Sequence, residues 1–259
     1  MAIDWEPLRT IIKDNQRFVL SSHVRPDADA LGSELAMAGM LEALGKSVRI
    51  VNPSDKPEHL KFLDPTDRAL KIGQGVTAEE VADTDVHMIL DTSAWSQLAD
   101  VGRVLQRTRA TKVVIDHHVS SDNLGAIEFK DTQAEATGAI VFRMAESLGY
   151  PLDREMAEAL FCAIATDTGW FRFSSTSSDT MRIAGELIDL GVQPHLLYQQ
   201  LYERNSLARI KLAGRVLGRV TVECDGRLAY TSVEQDDFKA TGAKPADTED
   251  LVNECLTID

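Results

Sequence analysis

Four short, β-rich runs constrain this chain more than any other feature. They fall at 17–22, 47–51, 86–90 and 112–115, separated by segments with helical patterning. A strand with one wet face alternates apolar and polar residues, but Val86-His87-Met88-Ile89-Leu90 and Lys112-Val113-Val114-Ile115 do not alternate. Continuous runs of this kind belong to strands covered on both faces, and intervening helices supply right-handed parallel crossovers. The expected fold is therefore α/β, an open, mainly parallel sheet with helices on both faces. Over 30–44, Leu31, Leu35, Met37, Ala38, Leu41 and Leu44 fall mostly on one helical face, and Gly45 closes that helix. Further helices are expected at 134–148, 154–166 and 178–190.

Beyond Gly191 the texture changes. Residues 1–190 read as the main domain, 191–215 as a polar helical linker, and 216–259 as a partial second α/β domain. Within the last, Asp225-Gly226 between two β-like runs predicts a hairpin. The final 256–259 resemble the opening of a strand without a partner, so this part is expected to lack a core of its own.

Composition narrows the classes of function. With 27 Lys and Arg against 41 Asp and Glu, the net charge is −14. That excludes stable, sequence-blind binding to long nucleic acid, which needs cations against phosphates. An anionic substrate is still admissible where bound metal reverses the local field. No apolar run reaches the length of a membrane span, and the first residues lack the basic start and apolar stretch of a signal peptide. The widely spaced Cys162, Cys224 and Cys255 form neither a disulfide framework nor a metal knuckle, so a reduced, cytoplasmic setting is expected.

Four places put acids or histidines just after a strand or at a helix junction, where ligands of open α/β sheets gather. In His23-Val24-Arg25-Pro26-Asp27-Ala28-Asp29, an extended backbone turns Asp27 and Asp29 the same way. Asp29 is expected to cap the following helix, whose free N–H groups, with Gly32 allowing close approach, suit a phosphate. Asp91 ends the run 86–90, either as a ligand or as a simple turn former. Asp116-His117-His118 ends the run 112–115. There the two imidazoles point to different sides, one suited to metal and one to substrate, with Asp116 orienting an imidazole. Asp167 ends an apolar helical stretch, either as a ligand or as a helix stop. Arg172 is either a phosphate clamp or an ordinary surface residue.

Together these spacings resemble the DHH phosphoesterase superfamily over residues of about 10–190, most closely its bacterial nanoRNase and pAp phosphatase branch. The first motif stands at 23–33, the second-motif Asp is Asp91, the name-giving triplet is 116–118, and the fourth-motif Asp is Asp167. The resemblance implies Mn²⁺-dependent hydrolysis of very short oligoribonucleotides and of the 3′-phosphate of pAp, with Mg²⁺ or Co²⁺ as alternative ions. It places His23, Asp27 and Asp91 on one metal, and Asp29, Asp91, His117 and Asp167 on a second, with Asp91 bridging. His118 would contact the scissile phosphate and Asp116 would support the histidines, while Gly32, Ser33 and Arg172 are expected on the substrate side.

The donor chemistry agrees. Four carboxylates carry about −4 and two divalent ions about +4, leaving a site that tolerates a phosphate. Mixed imidazole and carboxylate donors suit Mn²⁺, and a pair of ions suits in-line attack by a metal-bound hydroxide with no covalent intermediate. The branch carries a Gly-Gly-Gly-His stretch in its substrate-binding domain; here the last histidine is His195, which leaves substrate choice open. Two other readings stand beside the first: a pyrophosphatase or exopolyphosphatase acting on phosphoanhydrides, and a metal-loaded nucleotide-binding module with little turnover. A homodimer is compatible with the sequence. His59, His87 and His195 are expected to be structural or exposed, and Trp95, Trp170 and Cys162 to be packed.

Overall fold

The apolar runs become the central strands of a six-stranded, wholly parallel sheet. The computed structural model describes residues 3–248, 251–255 and 258. Its chain begins α1 (Glu6–Asp14), β1 (Arg17–Ser21), α2 (Ala28–Ala43), β2 (Ser47–Asn52) and β3 (Ala69–Lys71). It continues through α3 (Ala78–Ala82), β4 (Val86–Leu90), α4 (Ala99–Leu105), β5 (Thr111–Asp116) and β6 (Ile127–Lys130). Then come α5 (Thr137–Leu148), α6 (Arg154–Asp167), α7 (Ser178–Asp189), α8 (Pro194–Tyr202) and α9 (Leu207–Leu217). The remainder holds β7 (Thr221–Glu223), β8 (Leu228–Tyr230), α10 (Gln235–Thr241) and α11 (Leu251–Cys255). Two compact units result, Met1–Tyr198 and Gln199–Asp259.

The strand order is β3-β2-β1-β4-β5-β6. From β1 the chain winds outward to one edge, and from β4 to the other. The carboxyl ends of β1 and β4 therefore flank the crevice where a doubly wound sheet takes its ligand. The β4 run is buried along its whole length, as its lack of alternation predicts. The edge strands β3 and β6 were not expected; they are short and only partly buried, so they carry no continuous apolar signal.

Helix α2 differs from its expected form in two respects. It starts two residues earlier, capped by Asp27, whose side chain accepts the Ala30 N–H at 3.0 Å; Asp29 lies inside the first turn and does not cap this helix. It is also buried nearly all round, not on one face. Small residues on its far side let α6 approach: a Cβ built on Gly32 would stand 2.4 Å from the Ala159 carbonyl oxygen. At the far end Gly45, at φ 78°, closes a Schellman motif, its N–H donating to the Glu42 carbonyl and the Lys46 N–H to the Leu41 carbonyl. Gly32→Ala should thus cost about 1–3 kcal/mol through overpacking against rigid backbone. A lower urea midpoint at unchanged slope would register it, and an unchanged midpoint would refute the packing role.

The second unit departs from expectation as well. The 225–226 turn does join the antiparallel pair β7 and β8. A small apolar cluster nevertheless forms there, with Leu212, Val216 and Leu251 buried against Phe238, because α10 and α11 supply cover that the sequence pattern did not show. Asp237 is buried in the same unit and accepts hydrogen bonds from Arg215 and Arg219. Of the strand expected at 256–259, residues 256, 257 and 259 lie outside the described residues. Among the described residues no helix is long and apolar enough to cross a membrane.

Candidate metal centre

Four segments deliver acids and imidazoles to the carboxyl edge of the sheet. His23 follows β1, Asp27 and Asp29 open α2, Asp91 follows β4, Asp116 ends β5 ahead of His117 and His118, and Asp167 ends α6. Three sets of potential ligand atoms converge: His23 with Asp27 and Asp91, Asp29 with His117 and Asp167, and Asp91 with His117 and His118.

The spacings separate this cluster from an ordinary hydrogen-bonded network. His23 Nε2 stands 3.3 Å from Asp91 Oδ2 and 3.9 Å from Asp27 Oδ2. His117 Nε2 stands 3.5 Å from Asp167 Oδ2, 3.6 Å from Asp91 Oδ1 and 3.8 Å from Asp29 Oδ2. Nearly all of these exceed a good hydrogen bond. Donor atoms each about 2.1 Å from a shared ion stand roughly 3.0–3.5 Å apart, close to what is seen. The imidazoles are oriented for that role. His23 Nδ1 lies 2.9 Å from the Val24 carbonyl oxygen and His117 Nδ1 3.2 Å from that of Ala134. A proton placed on each Nδ1 leaves the Nε2 lone pair facing the acids.

The backbone at Asp91 is left-handed, at φ 62°, a region that Asp tolerates better than most residues. Its N–H donates to the Ile115 carbonyl at 3.0 Å, and its Oδ1 accepts from the Thr137 hydroxyl at 2.8 Å. Asp29 is held from an unexpected quarter. Its two oxygens accept the backbone N–H groups of Thr137 and Gly138 at 2.7 and 2.8 Å. Helix α5 has Ala136 at its cap position with no side-chain bond of its own, so Asp29 serves as its remote cap. A helix opening on Ala-Thr-Gly without an oxygen at the cap position is the one sequence signal that pointed to such a partner.

Burial drives the electrostatics. Asp29 and Asp91 are each at most 2% exposed. Burial first, and neighbouring carboxylates second, push both well above the usual carboxylate range. Burial likewise raises Asp167. Crowded acids without a balancing cation are a destabilising arrangement that divalent ions relieve. Asp116 behaves oppositely. Burial alone would raise it, but hydrogen bonds from His118, Ser93 and Lys130 hold it far below the usual range. Ser93 Oγ donates to its Oδ2 at 2.7 Å, and Lys130 Nζ lies 3.1 Å from the same oxygen. His118 Nδ1 sits 2.9 Å from Asp116 Oδ1, and that bond raises the imidazole's pKa. Half-exposed, His118 is braced by a buried carboxylate that favours its protonated form.

The expected substrate-side residues fare differently. Gly32 meets α6 instead of open space. Ser33 is fully buried, with its hydroxyl 3.4 Å from Asp29 Oδ1, so both support the cluster from beneath. Arg172 is exposed and donates Nε–H to the Gly169 carbonyl at 2.8 Å. His87 lies buried in β4, 2.8 Å from the Ser21 hydroxyl and apart from the cluster. Thr137, Ser93 and Lys130 were missed, because each is defined by a partner distant in sequence, 46 residues away for Thr137 and 23 for Ser93.

A doubly wound sheet presenting paired imidazole–carboxylate clusters at its switch point has the donor set of a divalent-metal hydrolytic centre. The comparisons carry this to a family. Residues 17–164 match the DHH family, N-terminal domain, and the chain belongs to that family. It is 29% identical over 240 residues to a bifunctional oligoribonuclease and PAP phosphatase of Thermus thermophilus, covering 90% of this chain and 69% of that protein. It is 27% identical over 239 residues to the protein of the same description from Bacillus subtilis, covering 90% and 72%. Among solved structures, an exopolyphosphatase-related protein from Bacteroides fragilis superposes with a TM-score of 0.92 at 25% identity, over 98% of this chain and 76% of the other.

Proposed function

We propose that this chain hydrolyses phosphate esters of very short oligoribonucleotides and of pAp, using a pair of divalent ions with Mn²⁺ as the natural choice. The observation that carries the reading is the split of one buried carboxylate. Asp91 Oδ2 faces His23, while Oδ1 faces His117. His23, Asp27 and Asp91 would hold one ion, and Asp29, Asp91, His117 and Asp167 the other. When bound, such a pair acidifies a water and neutralises charge at the phosphate. Imidazole with carboxylate oxygen is a donor mixture suited to Mn²⁺.

The remaining roles belong to the chain itself. Asp29 and Asp91 stay ionised once ions replace the protons that burial favours. The Asp116–His118 pair would present to an incoming phosphate an imidazole whose pKa that carboxylate raises, and the buried Ser93–Lys130 bracket keeps Asp116 charged. His118→Ala should lower kcat by about 10²–10³-fold, the range for loss of one positioned donor at the reacting charge. Metal content by elemental analysis should stay unchanged; matched loss of metal and turnover would instead make His118 a ligand.

The names of the two oligoribonuclease relatives favour nucleotide substrates, whereas that of the Bacteroides structure favours a phosphoanhydride. Turnover of pAp, a ribodinucleotide and pyrophosphate, measured side by side with Mn²⁺, decides between them. The proposal expects the first two to be cleaved. Preference for pyrophosphate would establish the anhydride reading, and tight nucleotide binding without product would establish a binding module.

A further inference from the structure

One buried carboxyl near the site has no part in the chemistry above. Glu34 lies on α2, just over a turn beyond Asp29, and has no exposed surface. Its Oε2 accepts a hydrogen bond from Asn52 Nδ2 at 2.8 Å, and Oε1 has no hydrogen-bond partner among the described residues. Asn52, 2% exposed, is the last residue of β2. Its Oδ1 in turn accepts both the backbone N–H of Ser22 at 2.8 Å and the Ser22 hydroxyl at 3.1 Å. Ser22 is the single residue between the end of β1 and His23. The β1–β2 ladder closes at Leu20 and Ile50, so the Ser22 N–H lies past the last paired strand residue. The Asn52 side chain supplies the acceptor that the strand backbone no longer provides.

We propose that Glu34, acting through Asn52 and Ser22, is a positioning residue that holds His23 in register with the helix carrying Asp27 and Asp29. This deepens the metal-centre reading and rests on it. The chain of contacts ties three of the proposed ligands into one rigid body: α2 bears Asp27 and Asp29, and its Glu34 reaches across the end of β2 to the residue preceding His23. A buried carboxyl costs stability that an apolar side chain of the same volume does not, so packing alone gives no account of it. Burial pushes the Glu34 carboxyl up to about 8, against the pull of Asn52 and Ser22. The group is thus largely neutral near pH 7 and adds no further negative charge beside the crowded aspartates. A neutral acid sets an O–H donor beside a carbonyl acceptor, and a glutamine amide keeps that acceptor with an uncharged N–H donor group in place of the O–H.

Mn²⁺ titration of the metal-free protein, followed by the electron paramagnetic resonance signal of the unbound ion, reads this role without any turnover. The variants are Glu34→Gln, Glu34→Met and Asn52→Leu, each checked for native circular dichroism. Wild type and Glu34→Gln should bind two ions with matching affinities. Glu34→Met and Asn52→Leu should bind one ion normally and the other about 10–100-fold more weakly, the usual effect of removing a partner behind a ligand. Should Glu34→Met not fold, Asn52→Leu alone decides. Two ions bound at wild-type strength by the Met and Leu variants would overturn the proposal, as would equal weakening of both ions in every variant. A wild type that binds no pair of ions refutes the metal-centre reading itself, and shows before any variant is tested.

Discussion

Asp91→Ala is expected to lower kcat by on the order of 10³-fold or more, the largest loss of any single ligand change, because two ions together supply several kcal/mol of charge stabilisation. Among the described residues Asp91 turns one oxygen to His23 and the other to His117, so on the proposed two-ion reading its removal should weaken both sites at once. Asp27, with its side chain 62% exposed, belongs to only one of the convergent sets and should matter less. The backbone at φ 62° adds a complication, since Ala is less at ease there than Asp. Asp91→Asn answers it: Asn tolerates that conformation and still accepts the Thr137 hydroxyl, but lacks the charge. Both variants should fold and bind fewer ions, as read by elemental analysis and steady-state kinetics. Near-normal turnover in Asp91→Asn would show that Asp91 bridges nothing.

Stripping the metal should have the second large effect, on stability as well as on activity. Burial and mutual repulsion raise the folded-state pKa values of Asp29, Asp91 and Asp167. Between their unfolded values, near 4, and those raised values, the folded chain holds more protons than the unfolded one. The share of the metal-free protein's stability that these three acids carry must then fall as pH rises through that window and recover as pH drops toward about 5. Asp64, Asp85, Asp116 and Asp179 have lowered pKa values, so the stability they contribute is lost only below the ordinary carboxylate range. Above it, raised Glu34 and His118 slope the same way as the cluster and buried His87, lowered to about 3, slopes the opposite way, so the cluster is reported by the difference between metal-free and Mn²⁺-loaded melts.

Manganese reverses the sign. Its ligands must be deprotonated, so the bound protein loses stability as pH falls. At an ion concentration of 100 Kd, near pH 7, each bound ion adds about 2.7 kcal/mol, or roughly 5–11 °C in Tm for a chain of this size. Thermal melts from pH 5 to 8, with chelator and with Mn²⁺, should therefore slope in opposite directions. Parallel slopes would mean that the acids do not share bound ions.

Much of this centre was legible before any coordinates, for a physical reason. The strands β1, β4 and β5 are buried on both faces, so their residues could not alternate, and their ends marked where His23, Asp91 and the 116–118 triplet would meet. Adjacent side chains in extended backbone predict that His117 and His118 point to different sides, whereas both approach Asp91 Oδ1, at 3.6 and 3.7 Å, with their ring centroids 4.5 Å apart. What escaped was whatever depended on distant partners. Both Asp27 and Asp29 suit an N-cap by residue type, and only the fold shows that Asp29 is taken by α5 while Asp27 caps α2. Likewise the sequence offers Gly32 as a point of close approach for a phosphate, whereas a Cβ there would meet the Ala159 carbonyl of α6. Lys130 sits on an edge strand that had no apolar signature, so nothing placed its ammonium beneath Asp116.

Anomalous diffraction from crystals soaked in Mn²⁺ with inorganic phosphate tests the central idea most directly. The expected map has two manganese peaks about 3.5–4 Å apart, one on either side of the Asp91 carboxylate, with phosphate reaching His118. A single peak, or peaks that Asp91 does not touch, would contradict it.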